Sequence, residues 1–123
     1  MGSTDATIKL LISPGFHVNA NPATFPYLIP TELTAGKVEE LIVGKPIYPS
    51  AEKKKFQFAD KPLAVYEGEV QIRLPLRTED ILSDTEVSVP ISVRVQACDN
   101  EKCYAPDVLK TWISVHWKYC CDD

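Results

Sequence analysis

The chain has 123 residues, of which 45% are hydrophobic, and its formal net charge is −4. A chain of this length is the size of one domain and buries roughly 65% of its unfolded surface, so a single core is sufficient. Its basic residues are scattered, apart from the run Lys53, Lys54 and Lys55, which argues against binding to nucleic acid or to an anionic membrane surface. We interpret the three lysines as part of a solvated loop.

Turn-forming residues divide the whole chain at short intervals, with ten prolines and five glycines. β-branched and aromatic residues fill the intervals between them, a pattern typical of an all-β domain with many turns. No segment carries apolar residues at helical spacing for three turns, and none approaches the ~20 residues that a membrane-spanning helix needs.

The first half of the chain predicts short strands separated by turns. Ile8, Leu10 and Ile12 alternate with polar residues, and the turn sequence Ser13-Pro14-Gly15 follows them. Two prolines at positions 26 and 30 exclude a central strand between them, because each removes a backbone hydrogen-bond donor. The predicted extended segments are residues 7–12, 16–19, 29–34 and 38–49, the last with a kinked exit.

The second half carries the clearest strand patterns. Val70, Ile72, Leu74 and Leu76 alternate with polar residues and predict a half-buried strand. After a polar turn over residues 78–85, a second alternating series runs from residue 87 to residue 95. A third apolar series consists of Leu109, Ile113, Val115 and Trp117. The last two series predict an antiparallel hairpin over residues 86–117.

Seven or eight short strands in one domain predict a two-sheet sandwich. We expect residues 1–5 to be a short leader, residues 6–119 the domain and residues 120–123 a tail. The only early apolar stretch, residues 8–12, is interrupted by Lys9 and is too short for a secretory signal. The cellular compartment must therefore be inferred from the cysteines, whose even number favours an oxidising space.

Cys98 and Cys103 fall at the tip of the predicted hairpin, separated by four residues. A disulfide can join them if their Cα atoms lie about 4.4–6.8 Å apart. The incoming strand has its apolar residues at odd positions, so we expect Cys98 on the less buried face, where its sulfur is accessible. Three interpretations remain open from spacing alone: a structural disulfide contributing about 2 kcal/mol, an exchanging pair, and a pair of metal ligands.

Other chemistry-bearing residues give weaker signals. Asp99 and Glu101 place negative charge beside the thiols, which opposes ionisation, and Lys102 offsets part of this, so no strongly activated thiolate is expected. His116 is expected on the outer face of its strand. Cys120 and Cys121 are adjacent in sequence, and three roles remain open for them: inert tail thiols, a bond between chains, and metal binding with His116.

Four segments together resemble the amino-terminal domain of DsbD-type thiol:disulfide interchange proteins. They are PGFHVNANP, LIPTEL, VYEGEVQIRLPL and QACDNEKCYAP, and the resemblance extends from Thr7 to Trp117. It implies an immunoglobulin-like sandwich in the periplasm, or another space outside the cytoplasm, that needs no cofactor. It also implies a protein-disulfide reductase component that receives electrons from a membrane-embedded donor domain and a thioredoxin-like domain. Thioredoxin-fold proteins, among them disulfide isomerases and cytochrome c maturation factors, are the implied recipients.

The resemblance also implies roles for particular residues. Cys98 and Cys103 correspond to the redox pair, with Cys103 as the cysteine that forms the mixed disulfide with a partner, and no metal is implied. Phe16 and His17 fall beneath the active-site strand as possible support, and His17 is a candidate for orienting a thiolate or moving a proton. A cap loop that shields the pair corresponds to Val65, Tyr66, Glu67 and Gly68, with Tyr66 as the shielding ring.

Two departures from the family pattern affect this site. The gap between the cysteines is one residue shorter than in the best-known members, and Glu67 is an extra residue before Gly68. The competing interpretation is a noncatalytic sandwich that binds a protein partner and carries Cys98–Cys103 as a structural disulfide.

Overall fold

The computed structural model describes residues 2–39, 41–78 and 85–117. These ranges contain ten β-strands and no helix. Accordingly, no described segment is a helix long and apolar enough to cross a membrane. The strands are β1 (Gly2–Leu11), β2 (His17–Asn19), β3 (Glu32–Ala35), β4 (Ile42–Val43), β5 (Glu52–Lys54), β6 (Leu63–Tyr66), β7 (Glu69–Thr78), β8 (Thr85–Val95), β9 (Ala97–Cys98) and β10 (Asp107–Trp117).

The strands form three hydrogen-bonded sheets, and every pairing between them is antiparallel. The sheet orders are β1-β7-β4, β10-β8-β3 and β5-β6-β2-β9. Strand β1 pairs with β7 along its whole length, from Gly2 opposite Thr78 to Leu11 opposite Glu69. Residues 2–5, which the sequence suggested were a leader, are therefore part of a paired strand.

The core lies between the β1-β7-β4 sheet and the β10-β8-β3 sheet. The alternating residues predicted on β7 and β8 are buried, with Ile72 and Val89 both completely inaccessible. Side chains from β1, β3 and β10 complete the same cluster, including Ile8, Leu33 and Trp117. Burying each large aliphatic side chain contributes about 1.5–3 kcal/mol, so this cluster is the main stabilising feature. The predicted all-β, immunoglobulin-like sandwich is confirmed.

Three local expectations differ from the structure. The strand predicted over residues 38–49 is reduced to Ile42–Val43 and an isolated bridge between Ile47 and Arg73. Part of the basic run belongs to β5, whose residues are exposed along one edge of its sheet, where charged side chains discourage further strand pairing. Leu109, expected to point inward, lies on edge strand β10 and is 45% exposed.

The β5-β6-β2-β9 sheet positions the cysteine pair. Strand β8 ends before Gln96, and β9 then pairs with β2 on one side while Cys98 bridges Cys103 across the tip of the hairpin on the other. Residues that are opposite in an antiparallel pair point to the same face, and successive residues point to opposite faces. Tyr66 and Val18 are opposite and face the main core, whereas His17 and Cys98 are opposite and share the other face.

Candidate functional site

Cys98 and Cys103 are joined by a disulfide with an S–S distance of 2.05 Å. They also form an isolated antiparallel bridge, which brings their Cα atoms to 3.9 Å, slightly closer than the range expected from the sequence. The prediction that the two cysteines lie within bonding reach is therefore confirmed.

The two sulfur-bearing residues differ in accessibility. Cys98 is completely buried, whereas Cys103 is exposed. Cys98 lies on the face away from the main core, as its alternation with Val95 predicts, but this face is covered here and its neighbour His17 is also buried, so the expectation of an accessible Cys98 sulfur is wrong. An incoming thiolate can therefore approach Cys103 more readily than Cys98.

His17, Cys98 and Cys103 form a row across neighbouring chain segments. His17 is opposite Cys98, and Cys98 is opposite Cys103, so their side chains share one face. The imidazole of His17 is 2% exposed and stacks on Phe56, with ring centroids 4.0 Å apart. Phe58 extends the stack, with its centroid 6.2 Å from that of His17.

The loop between the cysteines is held by Asp99. Its Oδ1 accepts hydrogen bonds from the backbone N–H groups of Glu101 and Lys102, each at 2.8 Å, and its Oδ2 accepts one from the Tyr104 hydroxyl at 2.7 Å. These bonds, with that from Tyr104 the largest cause, lower the pKa of Asp99 to about 2. The same contact raises the pKa of Tyr104. The ring of Tyr104 also contacts Phe16, with centroids 6.0 Å apart.

The ionisation of His17 is set mainly by its burial. Burial lowers the pKa of His17 below its ordinary value of 6.5, and the charge of Lys54 acts in the same direction. The negative charges of Glu67 and Asp99 act in the opposite direction and are smaller effects. Lys54 and Glu67 are paired, with Nζ 2.6 Å from Oε1. His17 is therefore neutral near pH 7.

The predicted cap residues separate into two pairs. Glu67 and Gly68 line a cleft of about 560 Å³ together with Phe16, His17, Phe56 and Asn100. Gly68 has a φ of 67°, a conformation that favours glycine. Val65 and Tyr66 belong instead to β6 and are buried, at 0% and 2% exposure.

Tyr66 does not shield the disulfide in this structure, contrary to what the family resemblance implied. Its position opposite Val18 puts its ring on the face of the sheet away from Cys98. Its hydroxyl donates a hydrogen bond to Pro49 O at 2.9 Å and accepts one from Asn21 N at 3.2 Å. Tyr66 is thus a core residue that joins β6 to two neighbouring segments.

The sequence model of the family described as "Thiol:disulfide interchange protein DsbD, N-terminal" matches residues 2–113. This chain belongs to the DsbD N-terminal family. A search of curated protein sequences found no match. The fold is similar to that of the Neisseria meningitidis DsbD N-terminal domain in its reduced crystal form. The two are 16% identical, the match covers 89% of this chain and 79% of that chain, and the TM-score is 0.54.

Membership of the DsbD N-terminal family, together with the disulfide, gives this domain a function in thiol–disulfide exchange. The resemblance identified in the sequence is confirmed. The family is periplasmic, and its partners are thioredoxin-fold proteins.

Two aromatic residues of this DsbD-family site were not identified from the sequence. Phe56 and Phe58 lie on the turn after β5 and stack on His17, yet they are far from both cysteines along the chain. Their only sequence signal was a pair of phenylalanines two positions apart, and that pattern does not indicate which face of which sheet they cover.

Residues 2–39, 41–78 and 85–117 contain no group of three or more histidine, cysteine, aspartate or glutamate side chains arranged to hold a metal ion. Cys120 and Cys121 lie outside the described residues, so the three roles suggested for them stay predictions.

Proposed function

We propose that this domain relays reducing equivalents between thioredoxin-fold proteins in the periplasm, with Cys103 forming the mixed disulfide and Cys98 resolving it. The supporting observation is the contrast between an exposed Cys103 and a completely buried Cys98. Thiol–disulfide exchange requires in-line access of a thiolate to one sulfur, and only the exposed residue offers that access to a folded partner.

The exchange proceeds in two displacements. In the reduced domain, the Cys103 thiolate attacks a disulfide of the partner, forming a Cys103–partner bond and releasing one partner thiolate. Cys98 then loses its proton and attacks Cys103 Sγ, forming the intramolecular disulfide and releasing the second partner sulfur. Two electrons pass from the domain to the partner, and the reverse sequence recharges the domain from a membrane-embedded donor domain.

The charges of the loop disfavour a thiolate in this domain, so they favour a partner whose own cysteine is reactive. Asp99 is ionised at neutral pH because its pKa is about 2, and its charge next to Cys98 disfavours a neighbouring thiolate. Lys102 lies over the Tyr104 ring, with Nζ 5.0 Å from the centroid. Thioredoxin-fold proteins carry a cysteine of lowered pKa, which complements a domain of this kind.

Exposed aromatic rings beside Cys103 provide a contact surface for such a partner. Phe16 is 37% exposed and Tyr104 is 39% exposed, and the two rings contact each other next to the disulfide loop. Partly exposed rings supply large contact areas with little loss of side-chain entropy. We therefore assign the Phe16–Tyr104 pair to partner docking.

A trapping experiment with matched variants tests the two cysteine roles. Cys98→Ala, mixed with an oxidised thioredoxin-fold protein, is expected to accumulate a mixed disulfide through Cys103. Cys103→Ala is expected to accumulate little under the same conditions, because Cys98 is buried. Trapping by Cys103→Ala but not by Cys98→Ala would reverse the assignment.

The reduction potential separates a relay from a structural disulfide. A relay is expected to have a potential near that of thioredoxin, about −270 mV, whereas structural disulfides lie below about −300 mV. The measurement is equilibration with glutathione or dithiothreitol buffers followed by alkylation of free thiols. A value well below −300 mV would support the noncatalytic, protein-binding interpretation instead.

A further inference from the structure

His17 is the titratable side chain opposite the buried cysteine. Cβ atoms of directly opposite residues in an antiparallel pair lie about 4.5–5.5 Å apart, so the side chains of His17 and Cys98 are immediate neighbours on one face. The other flank of Cys98 is occupied by Cys103, its disulfide partner. His17 is therefore the imidazole beside the sulfur that must resolve the mixed disulfide.

The imidazole also has unused hydrogen-bonding capacity. His17 Nε2 is buried and has no hydrogen-bond partner among the described residues. Leaving a buried polar atom without a partner costs about 1–3 kcal/mol, so such atoms are uncommon in folded domains and require an explanation. The stacked ring of Phe56 holds the imidazole in place without satisfying that nitrogen.

We propose that His17 is the general base that accepts the Cys98 proton during resolution, an inference that rests on the function proposed above. As Cys98 Sγ attacks Cys103 Sγ, the S–H proton passes to the imidazole, the Cys98–Cys103 bond forms, and the bond from Cys103 to the partner breaks. The electron pair of that bond leaves with the partner sulfur. The imidazolium then returns its proton to solvent through the adjoining cleft.

The charged groups around His17 are compatible with this role. Glu67 follows β6, Asp99 follows β9 and Lys54 lies on β5, and these are the charged groups that influence the imidazole. The two carboxylates stabilise the imidazolium that forms when the proton arrives, whereas Lys54 opposes it but is itself paired with Glu67. The imidazole starts neutral and becomes positively charged only during the step, as a general base requires.

Exchange with a chromogenic aromatic disulfide, dithiobis(nitrobenzoate), separates the two displacements. Attack by Cys103 releases the first coloured thiolate, and resolution by Cys98 releases the second. In His17→Phe, which retains an aromatic ring to stack on Phe56, the first release should remain within about twofold of wild type. The second release should slow about 10-fold or more near pH 7. General-base catalysis typically contributes about 10²–10⁴-fold to a rate.

The pH profile distinguishes proton transfer from structural damage. With His17 present, the second release should be nearly independent of pH between the pKa of the imidazole and that of the thiol. In His17→Phe and His17→Gln its rate should rise about tenfold per pH unit, because only the pre-formed thiolate reacts, and should approach the wild-type rate near pH 9. His116→Gln, which alters the other histidine on exposed strand β10, is the matched control and should match wild type.

Two results would overturn the proposal for His17. An unchanged second release in both His17 variants would do so, as would a slowing that is equal at all pH values. Failure of the proposed function would give different results. Wild type would release only one thiolate, or Cys103→Ala would retain the first release. Either result would refute the role of His17 together with the proposed function.

Discussion

Tyr66 offers the sharpest test of how this fold is built, because the family resemblance implied a place over the disulfide and the structure places it in the core. Replacing it with phenylalanine removes only the hydroxyl. That hydroxyl donates to Pro49 O at 2.9 Å and accepts from Asn21 N at 3.2 Å, so both bonds are lost while the buried ring is retained.

The expected loss of stability follows from these two bonds. Each hydrogen bond contributes a net 0.5–1.5 kcal/mol, about 1 kcal/mol on average, and its loss leaves a partly buried backbone group without its partner. We therefore expect Tyr66→Phe to lower the free energy of unfolding by about 1–2 kcal/mol. For a domain of this size, that corresponds to a decrease in Tm of about 5 °C.

Reactivity of the disulfide is expected to change much less than stability. Because the Tyr66 ring lies on the face away from Cys98, the rate at which a small dithiol reduces Cys98–Cys103 should be the same in wild type and Tyr66→Phe. Tyr66→Leu, which also removes the ring, should be less stable still but equally reactive at temperatures where it remains folded. Urea unfolding and stopped-flow reduction measure the two quantities separately.

A several-fold faster reduction of folded Tyr66→Leu, with little loss of stability, would refute this reasoning and restore the cap role. Tyr27→Phe is the matched control, because Tyr27 is 78% exposed. That variant should change neither quantity.

Three further predictions concern the disulfide, the hydrogen bonds to Asp99 and two glycines. Reducing the disulfide should lower the free energy of unfolding by about 2 kcal/mol, since the closed loop is short, and urea unfolding with and without dithiothreitol measures this. Asp99 has a folded pKa of about 2, below the ordinary 3.8, so its stabilising effect is present above about pH 4 and is lost as the pH falls through 2. Tyr104→Phe should raise that pKa toward 3.8, which carboxyl NMR titration detects, and an unchanged value would exclude the hydroxyl as the main cause. Gly36→Ala should destabilise by about 1–3 kcal/mol because its Cβ would collide with the Pro90 ring, whereas Gly68→Ala meets no atom within 4 Å and should cost about 1 kcal/mol of backbone strain. Equal losses for the two alanine variants would contradict the steric argument.

Side-chain alternation was predictable because it depends only on neighbouring residues. The period of two on β7 and β8 is a local property of extended chain, so the buried faces of Ile72, Leu74, Val89 and Ile91 follow from the sequence alone. The short separation of the two cysteines likewise limited their distance in space, whatever the rest of the chain does.

Which sheet a strand joins was decided only by the tertiary structure. After Gln96 the hairpin continues to the bridge between Cys98 and Cys103, and β9 also pairs with β2, a strand far away in the sequence. The pairing of β9 with β2 places Cys98 beside His17 on a covered face, so Cys98 is buried, and the pairing of β2 with β6 turns Tyr66 toward the core. Such pairings join segments that are far apart in sequence, so a local sequence pattern does not reveal them. The stacking of Phe56 on His17 is hidden from the sequence for the same reason.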